Sequence, residues 1–144
     1  GVLLKTSTES TRKPIVVLDT NMLMLAASGV RVFEQIEEQL ETKPRFVVLS
    51  PVLNELIKLS RTSAQSLRKQ ALLALELVRM FCEIVDYGNV ETSSVDELII
   101  RYAVENKAIV ATNDRELRAK LRAIGIPEAY FREESRRVVV EGYF

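Results

Sequence analysis

The 144-residue chain has no histidine, one cysteine, five glycines and no net charge, with 20 basic residues balanced by 20 acidic ones. Each shortage removes something. Without histidine there is no Ser–His or Cys–His nucleophilic pair, no His-ligated zinc and no imidazole base. Cys82 alone cannot close an intramolecular disulfide, and within "MFCEIV" it reads as a small buried core residue. Five dispersed glycines form neither a G-x-G-x-x-G fingerprint nor a phosphate-cradling loop. The balanced charge excludes a polybasic nucleic-acid coat, although local patches can still act. No apolar run approaches the roughly 20 residues that span a bilayer. The opening "GVLLKTSTESTRKP" is too polar for a signal peptide, so the expectation is a cytoplasmic protein with no membrane partner. Chemistry is left to carboxylates, hydroxyls, lysine, arginine or a bound metal.

What is present suits one compact domain. The apolar fraction is 47%, enough to bury a core. Residues 1–13 read as a flexible lead-in and 14–144 as a single domain. "PIVVL", "RFVVLS", "CEIVDYG" and "AIVAT" are short apolar runs of the kind that form buried strands. Helical stretches separate them. "NMLMLAASG" ends near Gly29, and "RVFEQIEEQLE" places Val32, Phe33, Ile36 and Leu40 on one face. Ser50–Pro51 signals the start of "PVLNELIKLSR". A longer helix to about Met80 carries Leu67, Ala71, Leu75 and Val78 on one face. "TSSVDELIIRYAVEN" opens on hydroxyls that can cap a helix, and "NDRELRAKLRAIG" ends at Gly125. "EAYF" and "RRVVVEGYF" are strand-like. The alternation predicts an α/β domain with a twisted, mostly parallel central sheet flanked by helices.

Ligands of open α/β sheets bind outside the carboxyl ends of the strands. Four junctions each supply an acid there. Asp19 follows "IVVL", Glu55 lies on the first turn or so after "FVVLS", Asp96 opens the helix after "EIVDYG", and Asp114 follows "AIVAT". Asp86 is a possible fifth. Crowded carboxylates repel, and a hard divalent cation is their natural partner. Such ions support in-line phosphoryl displacement without histidine. A structural reading stands beside this one for each acid. Asp19 and Asp114 also suit helix caps, and Asp96 suits a first-turn acid. Glu55 sits beside Leu56 either on an apolar face, where a carboxylate needs a partner, or exposed if the helix is rotated. "LDTN" and "ATND" both end a strand-like run on a Thr, an Asn and an Asp, but their flanks do not match, so they are not a repeat.

"VVLDTNMLM", "LSPVLNELIKL", "SSVDELIIRYAVEN" and "AIVATNDRELRAKLRAIGIP" resemble, in order, the four motif blocks of a PIN domain. The resemblance covers nearly the whole chain from Ile15. It looks closest to the branch containing small-subunit ribosomal RNA processing nucleases and their archaeal relatives, mainly through "TNDRELRAKLRAIGIP". VapC-type toxins share the acidic motifs, with a tail less like this one. The resemblance implies a three-layer, Rossmann-like fold and a metal-dependent endoribonuclease. Asp19, Glu55, Asp96 and Asp114 would then be catalytic and hold one or two Mg²⁺ or Mn²⁺ ions. Asn21 and Thr112 match supporting polar positions, and Glu116 is either a water-mediated helper or a solvated helix residue.

Cations flank these acids. Lys58, Arg61, Arg68 and Lys69 follow Glu55 without an intervening acid, and Arg115, Arg118, Lys120 and Arg122 follow Asp114. They suit phosphate contacts or ordinary solvated helix faces, with Arg115 foremost. No aromatics interleave with them, so stacking on bases is not indicated. Tyr102, Tyr130 and Phe131 read as core or interface residues. The expected partner is RNA, ribosomal or its precursor. The resemblance also allows a homodimer, and either a ribosome-assembly factor or an antitoxin. A toxin ribonuclease and an inactive RNA- or protein-binding scaffold stand as alternative functions.

Overall fold

A computed structural model describes residues 13–88 and 93–143. Apart from Lys13, the expected lead-in lies outside the described residues. In chain order the elements are β1 (Ile15–Leu18), α1 (Thr20–Ala27), α2 (Val32–Leu40), β2 (Arg45–Leu49), α3 (Ser50–Leu59), α4 (Gln65–Phe81), β3 (Cys82–Val85), α5 (Val95–Asn106), β4 (Ile109–Ala111), α6 (Arg115–Ala123), β5 (Glu128–Arg132) and β6 (Arg137–Glu141). The strands form one sheet in the order β3-β2-β1-β4-β5-β6. Neighbours run parallel except β5 and β6, which are antiparallel. With helices on both faces, this is the three-layer α/β form expected.

The apolar runs become strands because the sheet is covered on both sides. Val16, Val17 and Leu18 of β1, and Val47, Val48 and Leu49 of β2, are all fully buried. Each such side chain contributes about 1.5–3 kcal/mol by leaving water. The outermost strand differs. β3 pairs only with β2, and its residues run half-buried, exposed, exposed, half-buried. Cys82 is therefore half-buried at the start of an edge strand, not a fully buried core residue as its apolar neighbours suggested. Burial still pushes its thiol up to about 12, which keeps it unreactive.

The opposite edge is covered. The Gln35 and Gln39 side chains of α2 accept from the Val138 and Val140 backbone N–H groups of β6, at 2.7 and 3.1 Å. These bonds satisfy donors that would otherwise invite another strand.

Local signals position the rim. Asp19, Ser94 and Asp114 cap α1, α5 and α6. Ser50 behaves differently from its expected role. It lies inside α3, whose cap is Leu49, and its hydroxyl donates to Asp86 at 3.2 Å and accepts from the Tyr87 N–H at 3.1 Å. Gly88 follows β3 with φ +74, and a Cβ there would lie 2.3 Å from Leu98 Cδ2. Only glycine lets the chain pass this fully buried leucine of α5, the helix that carries Asp96.

Candidate functional site

β1 lies between β2 and β4, so the chain's path divides around it and leaves a crevice at the carboxyl ends of β1 and β4. Leu18 pairs with Ala111, which sets Asp19 beside Thr112. The Asp19 N–H continues the ladder, donating to the Ala111 carbonyl at 3.1 Å. One Asp19 carboxylate oxygen accepts from the Met22 N–H at 2.9 Å, and the other accepts from the Thr112 hydroxyl. Thr112, itself fully buried, also accepts from the Asp114 N–H at 3.0 Å. Asp114 in turn accepts from the Leu117 N–H at 3.0 Å. A single hydroxyl thus links the acids at two neighbouring strand ends.

Asp19, Glu55, Asp96 and Asp114 line one cleft of about 580 Å³, with Thr20, Asn21 and Lys58 among its other walls. The four acids expected from the sequence come together. Capping and cleft-lining coexist at Asp19 and Asp114. Asp96, the second residue of α5, is not a cap, because Ser94 fills that role by accepting from the Glu97 N–H. Glu55 is the sixth residue of α3, beyond the first turn, and it is exposed rather than set on the apolar face. Its partner is the Thr20 hydroxyl, which donates at 2.6 Å. Sequence reading missed Thr20, although a hydroxyl next to Asp19 at the head of α1 was a usable signal. Asn21 lines the cleft as an exposed residue.

Burial raises the Asp19 pKa to about 6, with Asp96 and Asp114 adding repulsion and the bonds from Thr112 and Met22 opposing. Asp96 is also raised, first by burial and then by Asp114, with lesser contributions from Glu55 and Glu116. Lys120 opposes that shift, so it and Glu116 act on the cleft from α6. Among the described residues, no three Asp, Glu, Cys or His side chains stand as a ready shell around one ion. Glu55 is turned onto Thr20, and Asp114 is engaged by the first turn of α6. The donors are nevertheless all hard oxygens, and two of the acids have raised pKa values in one another's presence. That chemistry fits an oxygen-seeking divalent cation.

The candidate phosphate contacts divide. Lys58 lines the cleft. Arg61 is exposed and forms no part of its wall. Arg68 donates to the Thr62 carbonyl at 3.2 Å, which ties it to the turn between α3 and α4 rather than to a free phosphate face. Arg118 has a partner inside the fold. Glu128, buried on β5, accepts from it at 2.6 Å and also pairs with Arg122 at 3.3 Å, so one carboxylate serves two guanidinium groups. Arg115 is exposed and lines an adjoining groove with Tyr130 and Phe131. Asp86 does not line the cleft, and the Ser50 hydroxyl holds it at the end of β3.

A family model described as a PIN like domain matches residues 16–134. Ribonuclease VapC4 of Methanocaldococcus jannaschii is 37% identical over 123 residues, 83% of this chain and 91% of the relative. Ribonuclease VapC9 of Archaeoglobus fulgidus is 34% identical over 126 residues, 87% of each chain. Among solved structures, the PIN domain endonuclease Utp24 superposes with a TM-score of 0.71 at 25% identity, over 90% of this chain and 92% of that one. The VapBC2 structure from Rickettsia felis shares the fold, with a TM-score of 0.54 at 21% identity over 73% and 92%.

Proposed function

The chain belongs to the PIN-like domain family, and on that premise we propose that it is a metal-dependent endoribonuclease acting in the cytoplasm. The observation that carries this reading is the meeting of Asp19, Glu55, Asp96 and Asp114 in one cleft at the switch point of the sheet. These four acids would hold Mg²⁺ or Mn²⁺. A bound ion there neutralises charge on the phosphate and lowers the pKa of water. Residues 14–144 act as one nuclease domain.

The chain's own groups do the placing. Thr112 fixes one oxygen of Asp19 and, through the Asp114 backbone, the start of α6. Thr20 holds Glu55 to the cleft wall. Lys58 offers a cation to a phosphate crossing the cleft. In the net reaction water adds to phosphorus and the P–O3′ bond breaks. The departing 3′ oxygen takes a proton, leaving 5′-phosphate and 3′-hydroxyl ends.

The proposed substrate is ribosomal RNA or its precursor, supported by the "TNDRELRAKLRAIGIP" block and the structural likeness to Utp24. A ribosome-assembly factor is the matching partner. The two VapC-named relatives favour a second reading, a toxin ribonuclease held by an antitoxin. The intact acid set counts against an inactive scaffold.

Incubating single-stranded and structured RNA with Mg²⁺, Mn²⁺ or EDTA tests the activity. Cleavage by the wild-type protein with either ion, silenced by EDTA and by Asp114→Asn, is the expected result. Cleavage by Asp114→Asn at the parent rate would reject it.

A further inference from the structure

The groove beside the cleft has a composition that the cleft lacks. It is about 500 Å³ in volume and is walled by Asn113, Arg115, Arg118, Tyr130, Phe131 and Arg132, among others. Two observations join it to the cleft. Asp114 lines the cleft, while its immediate neighbours Asn113 and Arg115 line the groove. On α1, Asn21 lines the cleft and Leu25 the groove, and residues four apart on a helix lie about 5–6 Å from each other. The partition is thus one residue wide on one side and one helical turn on the other, comparable to a single nucleotide step.

The floor of the groove is a built platform. The Arg118 guanidinium lies over the Tyr130 ring, 3.5 Å from its centroid. Buried Glu128 accepts from Arg118 at 2.6 Å, and Arg132 donates to the Tyr130 hydroxyl at 3.1 Å. Asn113 fixes the neighbouring strand by accepting from the Phe131 N–H at 2.7 Å. Glu128, which it shares with Arg122, fixes the Arg118 guanidinium over the ring. A flat guanidinium backed by an aromatic ring suits a nucleobase. Glu133 and Glu134 at the rim would repel a run of phosphates but can accept from base amino groups. Arg115, exposed at the partition, is the cation placed for the connecting phosphate.

We propose that this groove is a nucleobase subsite: it takes a base of single-stranded RNA one or two nucleotides from the phosphate in the acidic cleft, stacked on the Arg118–Tyr130 pair. The assignment rests on the nuclease reading for its substrate, but its test reads binding and not cleavage.

The test is fluorescence anisotropy of the wild-type protein with a labelled single-stranded RNA in Ca²⁺, a hard cation that neutralises the acids so that a phosphate can seat in the cleft. One abasic nucleotide is walked along the strand. Loss of the base at one position should raise Kd about tenfold, in keeping with the usual strength of base stacking. Arg118→Lys keeps a charge for Glu128 but loses the planar face, and should remove that positional penalty. Arg115→Ala should weaken every RNA several-fold and flatten the salt dependence. Failure to bind RNA, a flat abasic scan, or the same penalty in folded Arg118→Lys would each overturn the subsite. RNA that binds with the positional penalty but stays intact in Mn²⁺ would support the subsite while rejecting the nuclease reading.

Discussion

Asp19 reaches the cleft from the end of β1 and Glu55 from the second turn of α3, and they are held in different ways. Asp19 is buried, accepts two hydrogen bonds, and has its pKa raised to about 6 by burial and neighbouring acids. Glu55 is exposed and held by one hydroxyl from Thr20. The buried acid is fixed in place at a cost to the fold, which a cation would offset. The exposed acid keeps contact with water and has a single hydroxyl partner. A cleft built this way has one buried anchor and one exposed arm.

The largest expected effect breaks the anchor. Asp19→Asn should reduce RNA cleavage by at least about 1,000-fold, as losses of core catalytic groups commonly do. Glu55→Gln should cost less, because the remaining acids stay in place. Steady-state cleavage in Mn²⁺ measures both, and an equal loss in the two variants would erase the distinction.

Stability should move the other way. An acid whose folded pKa is raised contributes stability below its unfolded value, and that contribution is lost as pH rises through the folded value. For Asp19 the window runs from about 4 to about 6. Without divalent cations, Asp19→Asn should therefore be more stable than wild type at pH 8, by up to about 3 kcal/mol. The difference should vanish by pH 4. Chemical denaturation in EDTA across this range checks the sign, and a destabilised Asp19→Asn at pH 8 would contradict it. Adding Mn²⁺ should stabilise the wild type more than the variant.

Smaller effects sharpen the picture of support. Thr112→Val removes the donor to Asp19 and the acceptor for the Asp114 N–H together. It should cost about 10–100-fold in activity, the range seen when groups that orient metal ligands are lost. Thr20→Val frees only the exposed arm and should cost a few-fold. Rates for the two variants under the same conditions give the comparison, and Thr20→Val falling below Thr112→Val would reverse it.

Much of this was legible in the sequence, and the gaps have physical causes. "IVVL" and "RFVVL" announced themselves because strands buried on both faces must be apolar throughout. The same logic misplaced Cys82, since an apolar run does not reveal that its strand lies at the sheet edge. The acids were legible because strand ends in a parallel sheet share one rim. Their partners were less so. Thr20 meets Glu55 across 35 positions, and Arg118 meets Glu128 through packing of α6 against β5. Basic runs indicated charge but not which cations have partners inside the fold, so Arg68 and Arg118 suited phosphate contacts and solvated faces alike. The groove escaped notice because its aromatics and arginines interleave only in space.

Isothermal titration of Mn²⁺ at pH 7.5 into the wild-type protein and into the single variants Asp19→Asn, Glu55→Gln, Asp96→Asn and Asp114→Asn tests most directly whether the four acids form one cation site. The account predicts saturable binding by the wild type, weakened at least about tenfold in Asp19→Asn and Asp114→Asn and less in Glu55→Gln. Equal affinity in all five proteins, or no binding by the wild type, would contradict it.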